Sequence, residues 1–520
     1  MKMNKGTAIK TNAVKGIAWL TLSSLILKFI GLIYKVPISY LLGDEGMGYF
    51  NSAYTVYTLF YIICSSGIPK GISVIVSKYE AEGNKRTDCF YRSTLILLGC
   101  LGVFVAVIFI LLAPFFTSVI SSSDSLLSMY AVAPSVLFVC LNGVARGYLC
   151  GKMQFSHIAI SEIIIGACKL VLGLVLAFIG IKLSLDIPTI CALSILGITI
   201  GTLASTVYLL SVCKTKERGL LNMPTRSEMR DLIKISIPIT FASVGTGLMG
   251  VIDLFLIIRG LTSSDYSEGV ANALYGNYST LTLPMVSLVS TLIAPIITSY
   301  APILTVQFAK RKANEYINSI YEVLSLVYFI TIPCFFVYIL YPSKLLGIIF
   351  ESGSVSLGFM MLAVISPSVL FMAITASINN SMEATGRVRV PVISIIVGSL
   401  VKIAITYVLM RFTSLGILCA PIGTTVSYAT SFVISYLGIN RSVSQRIQLL
   451  KPAFFPLVAS AVALLASTLI SRFSYIIKST RLQSIFILSG FGLIYIIIML
   501  ILSKRTRGFL DKIRKINKKI

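Results

Sequence analysis

The amino-acid sequence predicts an all-α integral membrane protein with fourteen transmembrane helices, arranged as two six-helix lobes related by a parallel repeat plus two C-terminal helices. Composition is the first reason, since 56% of the 520 residues are hydrophobic, only 12% are charged, and the mean hydropathy is +0.91. Soluble proteins carry about 25% charged residues. The composition therefore excludes a soluble enzyme, a disordered tail and a coiled coil.

Long apolar runs are the second observation. A hydrocarbon core of about 30 Å needs roughly 20 helical residues, whereas the strands of a β-barrel would alternate over about 10 residues. The runs in this sequence are continuous, so each is predicted to be a helix. We number them spans 1 to 14 and place them at 14–36, 49–77, 91–116, 126–149, 155–181, 187–212, 233–258, 273–300, 316–341, 355–380, 390–411, 415–438, 453–474 and 482–503.

The distribution of Lys and Arg is the third observation. The two tails and the loops after even-numbered spans, together with the span ends that border them, hold 32 basic residues, whereas the loops after odd-numbered spans, counted in the same way, hold 8. Basic residues collect in cytoplasmic loops. The bias predicts a multi-pass membrane protein with both termini in the cytoplasm. It also accounts for the net charge of +25 without nucleic acid as a partner.

A faint internal repeat predicts the lobes. The pentapeptide PSVLF that begins at Pro134 in span 4 recurs from Pro367 in span 10, and Lys169 recurs at the same offset as Lys402. Because six is even, two such sets would enter the membrane with the same orientation. The predicted domains are an N-terminal lobe at 1–213, a cytoplasmic linker at 214–232, a C-terminal lobe at 233–440, spans 13 and 14 at 441–503, and a basic cytoplasmic tail at 504–520.

Residue types that support enzymatic chemistry are scarce. His157 is the only histidine, and the ten cysteines include no CxxC pair. Catalysis needs a nucleophile with a base, a metal cluster or paired carboxylates, and the sequence shows no such pattern. We therefore expect no catalytic residues, no metal site and no cofactor.

Polar residues at helical spacing are the features that point to a function. In span 1, Thr21, Ser24, Lys28, Gly31 and Lys35 step by three or four residues and so share one face. A cation at the bilayer centre costs roughly 2.5–3.5 kcal/mol, which favours a water-filled cavity beside this face. Two similar stripes consist of Asn51, Tyr54, Thr58, Tyr61 and Ser65 in span 2, and of Asn277, Thr280, Pro284, Ser287 and Thr291 in span 8.

Packing offers an alternative to a cavity. Ser and Thr can hold helices together, and lysines near a helix end can reach the interface. Lys28 lies deep in span 1, which favours the cavity, whereas Lys35 lies near the outer end and could reach the interface.

Four further charged groups lie within spans. Glu162 and Lys169 are seven residues apart in span 5, and Lys402 lies in span 11; these three could form an ion-pair network or take part in binding. Asp253 in span 7 could couple transport to a proton or cation, or could be a hydrogen-bonded packing residue.

A family resemblance rests on several motifs. They are GLIYKVPISYLLGDEGMGYFNSAYTVYTLFY at 31–61, the Gly67-Ile68-Pro69 sequence, Arg146-Gly147-Tyr148, the segment 161–169, and Val401-Lys402. Over essentially its whole length the chain resembles the polysaccharide-exporter branch of the multidrug/oligosaccharidyl-lipid/polysaccharide (MOP) flippase superfamily. Within that branch it is similar to the stage V sporulation protein B group and to MurJ-type lipid II flippases.

The resemblance implies two six-helix lobes around a cationic central cavity, two extra helices that form a groove for a lipid tail, and alternating access. It implies that Lys28 and Lys35, with Arg146 and Lys169 as helpers, bind the diphosphate of the substrate. Span 11 departs from the family where some members hold a sodium ion, because Ile405, Thr406 and Leu409 stand there.

The expected function is to flip an undecaprenyl-pyrophosphate-linked saccharide, such as lipid II or a related cell-wall or polysaccharide precursor. The expected partners are this lipid-linked oligosaccharide and membrane lipid, and the protein is expected to be a monomer. Three alternatives stay open: a drug/cation antiporter of the same superfamily, a membrane-embedded glycan enzyme and a sporulation scaffold.

Overall fold

The structure is a computed structural model that describes residues 5–82, 86–213, 225–349, 355–441, 446–473 and 479–502. Inside these ranges the side chains of residues 5–25, 28, 29, 32, 81, 242, 246, 349, 355, 356 and 473 are not described.

Sixteen α-helices and no strands are found among the described residues. In the first part of the chain the helices are α1 (Lys5–Ser65), α2 (Gly67–Glu82), α3 (Thr87–Ile120), α4 (Leu126–Gly151), α5 (Phe155–Lys182), α6 (Ile187–Val212), α7 (Arg226–Thr262) and α8 (Glu268–Asn277). In the second part they are α9 (Leu283–Ala309), α10 (Ala313–Leu340), α11 (Pro342–Ile349), α12 (Val355–Glu383), α13 (Arg389–Phe412), α14 (Cys419–Asn440), α15 (Leu450–Phe473) and α16 (Thr480–Leu502).

The predicted fold class is confirmed. Thirteen helical segments in the described ranges are long and apolar enough to cross a membrane, so the predicted count of fourteen spans fits approximately. The protein is therefore a multi-pass membrane protein.

The predicted loop between spans 1 and 2 is reduced to a kink. Two helical segments, together labelled α1, meet at Gly43, whose φ of +66° and ψ of −176° are not helical. This backbone conformation is open to glycine because glycine has no Cβ. Span 2 is in turn divided between α1 and α2, which begins at Gly67.

Contacts divide the chain into two compact units, Met1–Thr280 and Leu281–Ile520. Helices α1 to α8 form the first unit. One of its apolar cores joins α2, α3, α4 and α7, and its members include Ile72, Phe90, Val144, Leu149 and Leu232. The division into lobes at 1–213 and 233–440 stays a prediction.

The second unit contains α9 to α16. Its main core joins α10, α12 and α14 through residues such as Leu324, Ile378 and Ile439. Helix α16 buries Ile487, Phe491, Tyr495 and Met499, which are four residues apart and so lie on one face. Through this face α15 and α16 pack on α10, where the Tyr495 hydroxyl donates to the Phe329 carbonyl at 2.8 Å.

Candidate functional site

Two lysines of the first unit lie at one aromatic wall. The Lys169 ammonium of α5 lies 4.6 Å from the centre of the Tyr54 ring and 5.1 Å from the centre of the Tyr34 ring. Lys35 follows Tyr34 on α1, and its ammonium is close enough to that of Lys169 for the two charges to repel each other. We call Lys35 and Lys169 the lysine pair.

The polar partners of this wall are neutral. Lys35 Nζ donates to the Ser279 carbonyl at 2.8 Å, in the π-helical turn that follows α8. The Tyr34 hydroxyl and Ser194 Oγ of α6 are 2.8 Å apart, which fixes the ring beneath Lys169. Within the part of the chain that the structure describes, no carboxylate lies within ion-pair distance of either ammonium group. The lysine pair therefore consists of two basic side chains that pair with no carboxylate among the described residues.

The polar stripes of spans 2 and 8 meet beside this wall. Asn51 Nδ2 donates to Thr280 Oγ1 at 3.0 Å and to the Met47 carbonyl at 2.8 Å. Lys35 reaches the neighbouring Ser279. The structure thus brings Lys35 of the span 1 stripe to span 8, at the residue before the Thr280 that Asn51 of span 2 contacts. Lys28 lies on α1, but its side chain is outside the described residues.

Arg146 lies on α4 at a separate place in the same unit. Its Nη1 donates to Glu162 Oε1 of α5 at 3.2 Å, and its Nη2 lies 3.5 Å from Ser161 Oγ. The third donor, Nε, is buried and has no hydrogen-bond partner among the described residues. Glu162 therefore pairs with Arg146, a contact that spacing along span 5 alone did not indicate.

A small cleft of about 50 Å³, partly open to solvent, lies beside Arg146. Its walls come from α1, α2, α4, α5 and α6. They are lined by Tyr61, Ser65, Pro69, Val139, Asn142, Gly143, Arg146, Ile165 and Thr202.

A row of aromatic rings along α1 joins the lysine pair to this cleft. The ring centres of Phe50 and Tyr54 are 6.3 Å apart, those of Tyr54 and Tyr57 are 6.0 Å apart, and those of Tyr57 and Tyr61 are 6.0 Å apart. The polar stripe predicted in span 2 included Tyr54 and Tyr61 but missed Tyr57. A search for aromatic residues at steps of four, three and four would have found all four rings.

A family model described as polysaccharide biosynthesis protein matches residues 13–307, which is more than half of the chain. The chain belongs to the polysaccharide biosynthesis protein family. Two proteins of Bacillus subtilis (strain 168) are similar to this chain. Stage V sporulation protein B is 21% identical over 448 residues, covering 84% of each chain. Lipid II flippase MurJ is 20% identical over 484 residues, covering 87% of each chain.

Solved structures show the fold of this family member. An inward closed conformation of lipid II flippase MurJ has a TM-score of 0.70 at 15% identity and covers 93% of this chain and 98% of that one. An inward-facing multidrug resistance MATE transporter of the MOP superfamily has a TM-score of 0.68 at 13% identity and covers 82% of this chain and 98% of that one. The resemblance predicted from sequence motifs is confirmed.

The structure places two other charged candidates of this polysaccharide biosynthesis family member on α7 and α13. Asp253 on α7 interacts electrostatically with Tyr275 of α8, whose hydroxyl lies 3.1 Å from Thr55 Oγ1. Lys402 lies on α13 in the second unit, and its carbonyl faces Gly423 of α14. The ion-pair network expected between spans 5 and 11 stays a prediction.

Proposed function

We propose that the protein is a flippase that moves an undecaprenyl-diphosphate-linked saccharide across the bacterial cytoplasmic membrane by alternating access. The observation that carries this proposal is the lysine pair, which holds two ammonium groups without a carboxylate among the described residues. A charge at membrane depth costs several kcal/mol, so such a pair is retained where an anion binds. A diphosphate supplies the matching charge.

The partners of Lys169 support an anionic substrate. Aromatic faces attract cations, and here the Tyr34 and Tyr54 faces already hold the ammonium of Lys169. Lysine binds phosphate as a point charge with three rotatable donors, so it can follow a diphosphate that changes position during transport. We assign the diphosphate to Lys35 and Lys169, with Lys28 and Arg146 as further contacts.

The superfamily antiporters that carry cationic drugs are the second candidate. A cation would need free ring faces and a free carboxylate. In the described site the Tyr34 and Tyr54 faces are occupied by Lys169, and Glu162 is paired with Arg146 at 3.2 Å. This arrangement favours the lipid-linked saccharide over a cationic drug.

The names of the relatives support the same class of cargo. One relative is named lipid II flippase and another stage V sporulation protein B. We propose a monomeric transporter without catalytic residues, with both termini in the cytoplasm and Asp253, Glu162 and Lys402 as coupling or ion-pair residues. The saccharide is a cell-wall or polysaccharide precursor.

A flipping assay tests the proposal. The purified full chain is placed in liposomes that contain lipid II with a fluorescent headgroup, and an impermeant quencher reports movement between leaflets. We expect flipping by the wild type and at least a tenfold loss in the Lys35→Gln/Lys169→Gln variant, whereas Lys182→Gln, an exposed lysine of α5, keeps the wild-type rate. Absence of flipping together with transport of ethidium would overturn the proposal in favour of an antiporter.

A further inference from the structure

We propose that one end of the second unit binds the phosphate group of an anionic phospholipid. The site, which we call the basic rim, consists of Lys310 and Arg311 between α9 and α10, and of Arg387 and Arg389 where α12 gives way to α13. These residues follow spans 8 and 10, so the distribution of Lys and Arg predicts that this end faces the cytoplasm. The proposal goes beyond the proposed function and does not depend on the cargo, because the basic rim and the lysine pair share no residue.

The two loops of the basic rim form one surface. Thr305 Oγ1 of α9 donates to the Ala384 carbonyl, just beyond α12, at 2.9 Å. Arg387 Cζ lies 5.3 Å from the centre of the Phe308 ring, which is 6.0 Å from the centre of the Tyr316 ring of α10. These contacts hold the loop after α12 against the end of α9. The basic residues of the two loops therefore lie at the same edge of the unit.

Nearby carboxylates do not balance the charge of the basic rim. Lys310, Arg311 and Arg389 are exposed, and none of them lies within ion-pair distance of a carboxylate in the described parts of the chain. Glu383, the last residue of α12, is the carboxylate nearest to Arg389 along the chain, and it too lies beyond that distance. Because like charges repel one another, an anion placed among them is favoured.

Membrane topology alone does not require unbalanced charges. In the first unit, at an end that is also predicted to face the cytoplasm, Lys152 lies 3.3 Å from Asp88 and 3.6 Å from Glu80. Arg86 of that end lies 3.9 Å from Glu228. A basic residue that fixes the orientation of the chain can therefore be paired within the protein. Three members of the basic rim have no such pairing among the residues that the structure describes.

Apolar surface leads away from the basic rim along two helices. On each helix, two exposed apolar residues and one basic residue follow one another at steps of three and four: Ile303, Val306 and Lys310 at the end of α9, and Arg389, Val392 and Ile396 at the start of α13. Such steps place the three residues on one side of their helix. A phospholipid matches this order, because its phosphate lies at the membrane surface and its acyl chains lie deeper.

A phospholipid fits the basic rim better than a soluble anion does. Basic pockets between membrane helices on the cytoplasmic side are typical sites for anionic headgroups. Arginine binds phosphate with two parallel hydrogen bonds, and lysine binds it as a point charge, so both residue types suit a phosphodiester. A soluble anion would contact the basic residues only, whereas a phospholipid would also cover Val306 and Val392.

Native mass spectrometry of the purified full chain in detergent tests the proposal. The protein is titrated with phosphatidylglycerol, and separately with phosphatidylcholine of the same chain length, which has a phosphate but no net charge. The first phosphatidylglycerol should bind roughly fivefold more tightly than phosphatidylcholine, and Lys310→Gln and Arg389→Gln, one from each loop, should each lose about fivefold in affinity for it. Lys312→Gln is the matched control, because its ammonium already pairs with Glu315 Oε1 at 2.6 Å, and it should bind phosphatidylglycerol like the wild type.

Several outcomes would overturn the phospholipid site. Equal binding of the two phospholipids by the wild type would do so. An equal loss in Lys310→Gln, Arg389→Gln and Lys312→Gln would mean that the lipid responds only to overall charge, and a loss confined to one loop would mean that the loops do not form one site. An equal amount of undecaprenyl diphosphate should leave the first phosphatidylglycerol bound, since its displacement would assign the basic rim to the carrier lipid. Melting temperatures equal to that of the wild type, measured without added phospholipid, show that the variants are folded.

Discussion

The ammonium of Lys169 lies 4.6 Å from the centre of the Tyr54 ring, in contact with an aromatic face and not with a carboxylate. The two residues belong to different helices, α5 and α1. A ring face attracts a cation by about 0.5–2 kcal/mol, so the Tyr54 and Tyr34 faces together offset much of the roughly 2.5–3.5 kcal/mol that a cation at membrane depth costs on the mildest scales. The two rings hold the ammonium group without neutralising its charge, so it can still bind an anion.

This balance predicts the effect of Lys169→Gln on stability. Because the attraction of the two ring faces is similar to the cost of placing the cation at membrane depth, the stability of the variant should lie within about 1 kcal/mol of that of the wild type. Thermal unfolding of the purified protein in detergent measures the change, and Lys182→Gln at the exposed end of α5 serves as the control. A melting temperature well below that of the control would mean that Lys169 is a structural residue.

Gly147 of α4 predicts a second stability change. A Cβ at this position would lie 2.7 Å from the Pro69 carbonyl oxygen and 2.8 Å from Ile72 Cβ of α2. Overpacking of this kind costs about 1–3 kcal/mol, so Gly147→Ala should lower the melting temperature. Gly250→Ala is the matched control, because its Cβ would meet only Thr55 Cγ2 at an ordinary 3.5 Å and alanine favours a helix. Equal melting temperatures for the two variants would show that α2 and α4 are not in close contact there.

The energy source of transport can also be predicted. An inside-negative potential favours outward movement of a negative charge by about 2.3 kcal/mol per charge per 100 mV. Span 11 has Ile405 and Leu409 near where some superfamily members hold sodium, so the potential is expected to matter more than sodium. Liposomes with an imposed potassium diffusion potential should flip faster as the potential rises, and Asp253→Asn should lose only part of the rate. Flipping that ignores the potential and stops without sodium would contradict this expectation.

The fold class could be predicted from composition and hydropathy because each membrane-spanning helix is one long, continuous apolar stretch of sequence. The shortening of the predicted loop between spans 1 and 2 to a kink at Gly43 could not be predicted in this way. Asp44, Glu45 and two glycines resemble a polar turn, but this segment packs on α8, where Gly48 contacts the Asn272 carbonyl and Gly276 contacts the Asp44 carbonyl. Such backbone approaches depend on residues more than 200 positions apart.

The candidate site was predictable in part for the same reason. Helical spacing marked Lys35 and Tyr61 as polar residues of spans, and that information is local. The contact of Lys169 with Tyr34 and the pairing of Arg146 with Glu162 arise between helices, so no periodicity records them. The predicted polar stripe passed over Tyr57 because that residue lies beside the stripe, on the face formed by the aromatic rings.

The central claim is that Lys35 and Lys169 together bind the diphosphate, and the affinity for undecaprenyl diphosphate tests it most directly. It should be measured in nanodiscs for the wild type, Lys35→Gln, Lys169→Gln and the control Lys182→Gln, all with melting temperatures shown to be retained. Loss of one charge-assisted contact of about 1.5 kcal/mol corresponds to about tenfold in affinity. The account predicts that each of the first two variants binds about tenfold more weakly and that the control binds like the wild type. Wild-type affinity in both Lys35→Gln and Lys169→Gln would contradict it.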